Sequence, residues 1–347
     1  MKTAGSNDGH CGLTAPGDTG AASPVMAMGE ARPAGPVIDY LRVSITDRCN
    51  FRCVYCMPPE GVTTLSHGDI LSYEEIERFV SVATDMGVSR VRVTGGEPLV
   101  RRGSAGLLER LAALPGVADL SLTTNGSLLA GHAEELRRAG LSRINISIDS
   151  LDPERFRRIS RGRELGPVLE GLEQALAAGL APVKVNAVML EGIEDDVGAF
   201  VRLARERPVH VRFIEFMPIG RRRGGLWRFV PRKRLMDLIA RFGDMTPAHA
   251  PAGGGPARYF RLDNMQGTIG FISSMSDHFC ERCNRLRLTA DGRLRNCLFS
   301  DAEVYVRPYL CGDEGLLRSV IRYSINSKRF DRRAEEQGAR PMVQLGG

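Results

Sequence analysis

Nowhere does this chain hold an uninterrupted apolar run near the roughly 18 to 20 residues that a membrane-spanning helix needs. Its first forty residues also lack the apolar stretch of a secretion signal. Both absences point to the cytoplasm, where disulfides are rare. Acidic residues are the minority, 41 against 47 basic ones, giving a formal net charge of +6 and a pI of about 9.0. The shortage is uneven: residues 1–36 hold Lys2 and Arg32 against Asp8, Asp18 and Glu30, so the surplus lies entirely in the remainder. A basic body suits a polyanion, either nucleic acid or a nucleotide phosphate, although solvated arginine-rich loops alone would account for it. Apolar material is not short. With 43% hydrophobic and 25% charged residues in 347, a sizeable core is available and wholesale disorder is excluded.

Residues 1–36 are rich in Gly, Ala, Pro, Ser and Thr and show no periodicity, so they read as a disordered extension, and Cys11 within them receives no role. From Leu41 to Thr46 apolar and polar residues alternate with the period of a strand. Five further strands are expected at 91–94, 120–124, 143–148, 183–189 and 209–216, each preceded by helical material. The first helix should begin at the capping box Ser72-Tyr73-Glu74-Glu75. Six strand-then-helix units imply an α/β fold with a parallel sheet, a partial (βα)6 barrel over residues 37–218. In such an array chemistry gathers at the carboxyl ends of the strands. After Met217 the pattern breaks into an arginine-rich stretch (Arg221, Arg222, Arg223, Arg228, Arg232, Lys233, Arg234), a Pro/Gly linker at 248–257, and a C-terminal region to residue 347 with a helix-rich tail.

The cysteines are clustered, and in a cytosolic chain clustering argues for metal. Cys49, Cys53 and Cys56 follow the first strand with spacing C-x3-C-x2-C, and no fourth cysteine is near. Three thiolates can hold three irons of a cubane, leaving one iron open to a small molecule, which is the mark of a catalytic metal. Thr94-Gly95-Gly96-Glu97-Pro98 follows the second strand, where paired glycines allow close approach of backbone. Cys280, Cys283 and Cys297 form a second set, C-x2-C-x13-C, which Cys311 or His278 could complete as a tetrahedral zinc site. The neighbouring Arg285 and Arg287, on one face of an extended segment, favour a site that also meets phosphate.

The motif C-x3-C-x-aromatic-C, with Tyr55 as the aromatic, resembles the radical S-adenosylmethionine (SAM) superfamily. The ordered stretches LRVSITDRCNFRCVYCMP, RVRVTGGEPLVRR, LTTNG, INISIDSLD, VKVN, RFIEFMP and FCERCNRLRLTADGRLRNCL, with the terminal Gly346-Gly347, resemble the GTP 3′,8-cyclases of molybdenum cofactor biosynthesis from about Ile38 onward. The resemblance implies two 4Fe–4S clusters, held by Cys49, Cys53 and Cys56 and by Cys280, Cys283 and Cys297. It implies SAM contacts at Tyr55, Gly96, Ser147 and Met217. GTP would be bound by Arg42, Arg92, Thr123, Lys184, Arg285, Leu286 (by its backbone) and Arg287, with Arg90 and Arg212 as further phosphate contacts. Gly346 and Gly347 would reach into the active site. The implied reaction is radical cyclisation: a 5′-deoxyadenosyl radical takes the ribose 3′-hydrogen, and the carbon radical closes onto C8 of guanine, giving 3′,8-cyclo-7,8-dihydro-GTP. The implied partners are an electron donor of the flavodoxin or ferredoxin type and cyclic pyranopterin monophosphate synthase, which takes the product. No membrane is implied, and a homodimer is compatible. The long extension, the stretch 301–331 and the arginines of 228–234 depart from the family pattern. Two alternatives stand beside this reading: a peptide-modifying radical SAM enzyme with an auxiliary cluster, and a zinc-containing nucleic-acid-binding protein.

Overall fold

Alternation builds the first strand, β1 (Tyr40–Ser44). Leu41, Val43 and the following Ile45 enter the main apolar core, so Tyr40, Arg42 and Ser44 take the opposite face. In this computed structural model, which describes residues 35–220, 230–330 and 340–346, the pattern recurs in five more strands. These are β2 (Arg90–Thr94), β3 (Asp119–Thr124), β4 (Arg143–Ser147), β5 (Val183–Met189) and β6 (Val209–Glu215). They pair in chain order, each parallel to the next. The helices α1 (Tyr73–Asp85), α2 (Ser104–Ala112), α3 (Ala133–Arg138), α4 (Pro153–Ser160), α5 (Gly166–Ala177) and α6 (Val197–Glu206) run between them. Ser72 caps α1 reciprocally: the Glu75 amide donates to Ser72 Oγ at 3.1 Å, and the Ser72 amide donates to Glu75 Oε2 at 2.6 Å. Cys11, Arg221, Arg222, Arg223, Arg228 and Gly347 lie outside the described residues.

The C-terminal region joins the same sheet. After α7 (Arg232–Ile239) come β7 (Thr246–Ala248), β8 (Arg258–Arg261), β9 (Thr268–Ile272), β10 (Arg285–Leu288), β11 (Arg293–Arg295) and β12 (Val304–Tyr305), then α8 (Glu314–Asn326) and α9 (Met342–Leu345). β10 pairs parallel with β1, and β9 pairs parallel with β6, so the parallel run widens from six strands to eight. β11 and β12 extend it antiparallel at one side, β8 and β7 at the other. The twelve-stranded order leaves β12 and β7 at the ends, so the barrel stays open. These late strands are two to five residues long, too short for a period of two to stand out in the sequence.

Candidate active site

Cys49, Cys53 and Cys56 ride the loop that leaves the carboxyl end of β1. On its outer side the amides of Arg52 and Val54 donate to the carbonyls of Ser160 and Ile159 at 3.4 and 3.0 Å. The Arg161 guanidinium donates to the carbonyls of Arg52 and Met57 at 3.0 and 2.7 Å. On its inner side the Gly96 amide donates to the Thr46 carbonyl at 2.7 Å, and the Glu97 amide to that of Arg48 at 2.8 Å. Lack of space explains both glycines: a Cβ on Gly96 would stand 2.4 Å from the Arg48 carbonyl oxygen, and one on Gly95 2.8 Å from that of Thr46. The buried Glu97 carboxylate accepts from Thr124 Oγ1, the Asn125 amide and the Leu99 amide at 2.7, 2.6 and 3.1 Å, tying the loop after β2 to the end of β3. Burial raises Glu97 to about 7 against the pull of those bonds.

Tyr55 Oη donates to Asp149 Oδ2 at 2.7 Å, and Asp149 Oδ1 accepts the Val188 amide at 2.9 Å. Tyr55, Ser147 and Cys53 line one pocket together with Phe51, Asn125 and Asp149. Met217 stands elsewhere. It packs with Met275, Cys297, Leu298 and Met342 around Ile219, Phe299 and Leu345, on the side of the second cysteine set. Glu97, Asn125 and Asp149 were not singled out from the sequence as supports, although each lies at a strand end inside or beside a quoted motif.

The first thiols cannot ionise together unaided. Burial, and then the charge of Glu97, lifts Cys49 to about 11, and burial with Asp149, Cys56 and Cys49 pushes Cys53 well above its ordinary range. Thiolates are the metal-binding form, so a cationic metal group is what this loop can hold in place of those protons. Among the described residues no three His, Cys, Asp or Glu side chains converge as a single ion requires. Donors spread along a loop suit a group with several metal corners, one thiolate to each.

Cys280 opens a short 3-10 turn (Cys280–Arg282), Cys283 follows it, and Cys297 lies just past β11. Lys328, 2% exposed, joins the two segments: its Nζ donates to the Arg285 carbonyl at 3.0 Å and to the Asn296 carbonyl. Burial alone would raise Cys283, but Arg285 and Lys328 outweigh it and draw the thiol down. His278 Nδ1 lies 2.9 Å from the Ser274 carbonyl oxygen, and Cys311 is exposed just before α8. Lys328 carried no signal in the sequence, since it stands among other basic residues in the stretch 301–331 that departs from the family pattern.

Between the two sets the inner face of the sheet is cationic. Register aligns Arg287 with Arg42, Arg42 with Arg92, and Arg92 with Ser121. Further round, Thr123 aligns with Asn145, and Asn145 with Lys184. Arg92, Lys184, Arg212 and Arg287 are buried and form no ion pair among the described residues. Neutral groups hold them instead. Arg92 Nε donates to Ser121 Oγ at 3.1 Å, and Arg212 to Asn186 Oδ1 and Asn145 Oδ1 at 2.8 and 2.6 Å. Lys184 Nζ donates to the Ala252 carbonyl at 2.6 Å. Burial, then Arg212, Arg143 and Arg92, pulls Lys184 down to about 6. Arg143, which the sequence reading missed, differs in having Asp119 as a carboxylate partner, its Nε donating to Oδ1 at 2.7 Å, and Arg90 is paired with Asp39. The Thr123 hydroxyl is buried without a partner among the described residues. Buried cations lacking counter-charge are costly, and a bound polyanion removes that cost.

The tail reaches this face. Arg42, Thr94 Oγ1 and Arg287 donate to the Gly346 carbonyl at 3.2, 3.3 and 3.5 Å. Gly346 has φ +76°, and a Cβ there would stand 2.8 Å from Ser44 Cβ, so only glycine fits. Arg340 anchors the approach through Asp291 and Glu303, each at 3.2 Å.

Residues 43–204 match the Radical SAM superfamily model and residues 209–333 the Molybdenum Cofactor Synthesis C model. A GTP 3′,8-cyclase of Pelotomaculum thermopropionicum is 50% identical over 320 residues, covering 89% of this chain and 98% of that one. Another, of Moorella thermoacetica, is 47% identical with the same coverage. The chain belongs to the GTP 3′,8-cyclase family. As a cyclase of this family it is a radical SAM enzyme of molybdenum cofactor biosynthesis, and the peptide-modifying and zinc-protein alternatives are set aside. The fold of this cyclase is also that of Streptococcus suis SuiB, solved bound to S-adenosylmethionine, with TM-score 0.53 and 14% identity. That match covers 78% of this chain but only 62% of SuiB, and at such identity it speaks for the fold alone.

Proposed function

We propose that this cyclase converts GTP to 3′,8-cyclo-7,8-dihydroguanosine 5′-triphosphate on the inner face of the sheet, between two iron–sulfur clusters. Cys49, Cys53 and Cys56 hold the first cluster, and Cys280, Cys283 and Cys297 the second, which meets the guanine. When bound, the first cluster and SAM supply one-electron chemistry that can take a hydrogen atom from carbon. The chain's own residues bind, orient and exclude water. Tyr55, Gly96 and Ser147 line the SAM side, and Met217 joins them on family resemblance. Arg42, Arg92, Lys184, Arg285 and Arg287 take the triphosphate, with Arg212 beside them. Thr123 offers its unpaired hydroxyl and Leu286 its backbone. Gly346 and Gly347 reach into the active site.

One observation carries this reading: buried Arg92, Arg212 and Arg287, with buried Lys184 beside them, form no ion pair among the described residues and line the face that the Gly346 carbonyl enters. We further read residues 37–218 and 219–347 as the two functional parts, the cytoplasm as the location, a flavodoxin or ferredoxin as electron donor, and a cyclic pyranopterin monophosphate synthase as recipient of the product. A homodimer is compatible with all of this. The test is anaerobic reconstitution followed by incubation with SAM, dithionite and GTP, read by mass spectrometry. Two cubanes predict about eight iron per chain. Alanine at Cys53 should leave about four iron and no SAM cleavage, and retained cleavage would refute the ligand assignment.

A further inference from the structure

One buried polar group on the inner face has no role in the chemistry above. Tyr40 opens β1, and the alternation that sends Leu41 and Val43 into the apolar core turns Tyr40 to the face of Arg42. Its side chain is 4% exposed yet stands outside the apolar core. Two guanidinium groups stand over the ring instead, that of Arg90 at 5.6 Å and that of Arg92 at 5.4 Å from its centroid. Its hydroxyl is buried and has no hydrogen-bond partner among the described residues. Buried tyrosine hydroxyls normally find a partner, because leaving one unmatched is costly. Asp39, the preceding residue, is engaged by Arg90 and Asn284, and Asp119 by Arg143. Burial pushes the phenol up, yet Arg92, Arg42, Arg143 and Arg285 together draw it below its ordinary range, so this oxygen sits in unbalanced positive charge. Phenylalanine would fill the same space without the hydroxyl.

We propose that Tyr40 Oη donates a hydrogen bond to a phosphate oxygen of the nucleotide and so favours the nucleotide over the nucleoside. The proposal rests on the reading that the inner cations hold the phosphates. The surroundings select a phosphate: Arg90 and Arg92 stand over the ring, and Arg285 pairs with Tyr40 in register. The test titrates anaerobic, cluster-loaded enzyme, without SAM so that nothing is consumed, with GTP, GDP and guanosine. Wild type, Tyr40→Phe and Arg92→Ala are compared. The ratio of the guanosine Kd to the GTP Kd cancels general damage to the protein. Tyr40→Phe should lower that ratio about tenfold, the loss of one charge-assisted hydrogen bond. An unchanged GTP ratio in Tyr40→Phe, with a fallen one in Arg92→Ala, overturns the role of Tyr40 and leaves the cation reading standing. If wild type binds all three alike and Arg92→Ala changes nothing, the cation reading fails and the proposal with it.

Discussion

Lys184 shows how much one buried side chain depends on what binds beside it. Burial and three arginines hold it at about 6, so near neutral pH most of it is uncharged when no anion is present. A triphosphate favours the charged form, so GTP binding should take up a proton. The sign follows: affinity should weaken as pH rises above about 6, by at most about tenfold per unit for one proton. Calorimetry in two buffers of different ionisation enthalpy would detect the uptake, and Lys184→Met should abolish it. If binding proves independent of pH between 6 and 8, Lys184 does not face the phosphates. Gly346 makes the complementary case of a residue defined by absent atoms. In Gly346→Ala the added carbon collides with Ser44, displacing the carbonyl that Arg42 and Arg287 grip. Product formation should fall about a hundredfold, as misplacement near 1 Å can cost, while SAM cleavage without product continues. Product at the wild-type rate would remove the tail from the active site.

Two single contacts govern whole segments. Arg340, half-buried between Asp291 and Glu303, secures α9 and hence the last glycines. Arg340→Ala should speed amide exchange in Val343–Leu345 roughly tenfold, the equivalent of a charged hydrogen bond, and should lower product formation without changing iron content. Lys328 clamps β10 to the end of β11, where Cys283 and Cys297 stand. Lys328→Met should cost the second cluster alone, leaving about four iron per chain. Retention of about eight would show the clamp dispensable. The six barrel strands were legible because each is five to seven residues of clear alternation. Of β7 to β12 only β10 was legible, as an extended segment with Arg285 and Arg287 on one face; the others are too short to show a period, and what makes them strands is the edge on which they lie.

For the molecule as a whole, those edges matter most. β10 covers β1 and β9 covers β6, so among the described residues the six barrel strands have no free edge. A fragment ending near residue 219 would expose both, each a row of unpaired amides and carbonyls. It should aggregate or form mixed oligomers on size exclusion, and a monodisperse, folded fragment would contradict this. The Arg307 guanidinium, paired with Glu75 at 2.9 Å, and Arg318, paired with Asp85 at 2.7 Å, also tie the C-terminal region to α1.

The cysteine spacings, the glycine pair, the capping box and the alternation of β1 are local, and local chemistry dictates them, so they could be read from the order of residues alone. The matching of Arg287 to Arg42 to Arg92, the orphaned hydroxyl of Tyr40, the clamp of Lys328 and the seat of Gly346 join residues far apart in the chain. Those relations depend on strand register and on which edge each late strand adopts, and register is settled by packing of the folded sheet rather than by any stretch of sequence.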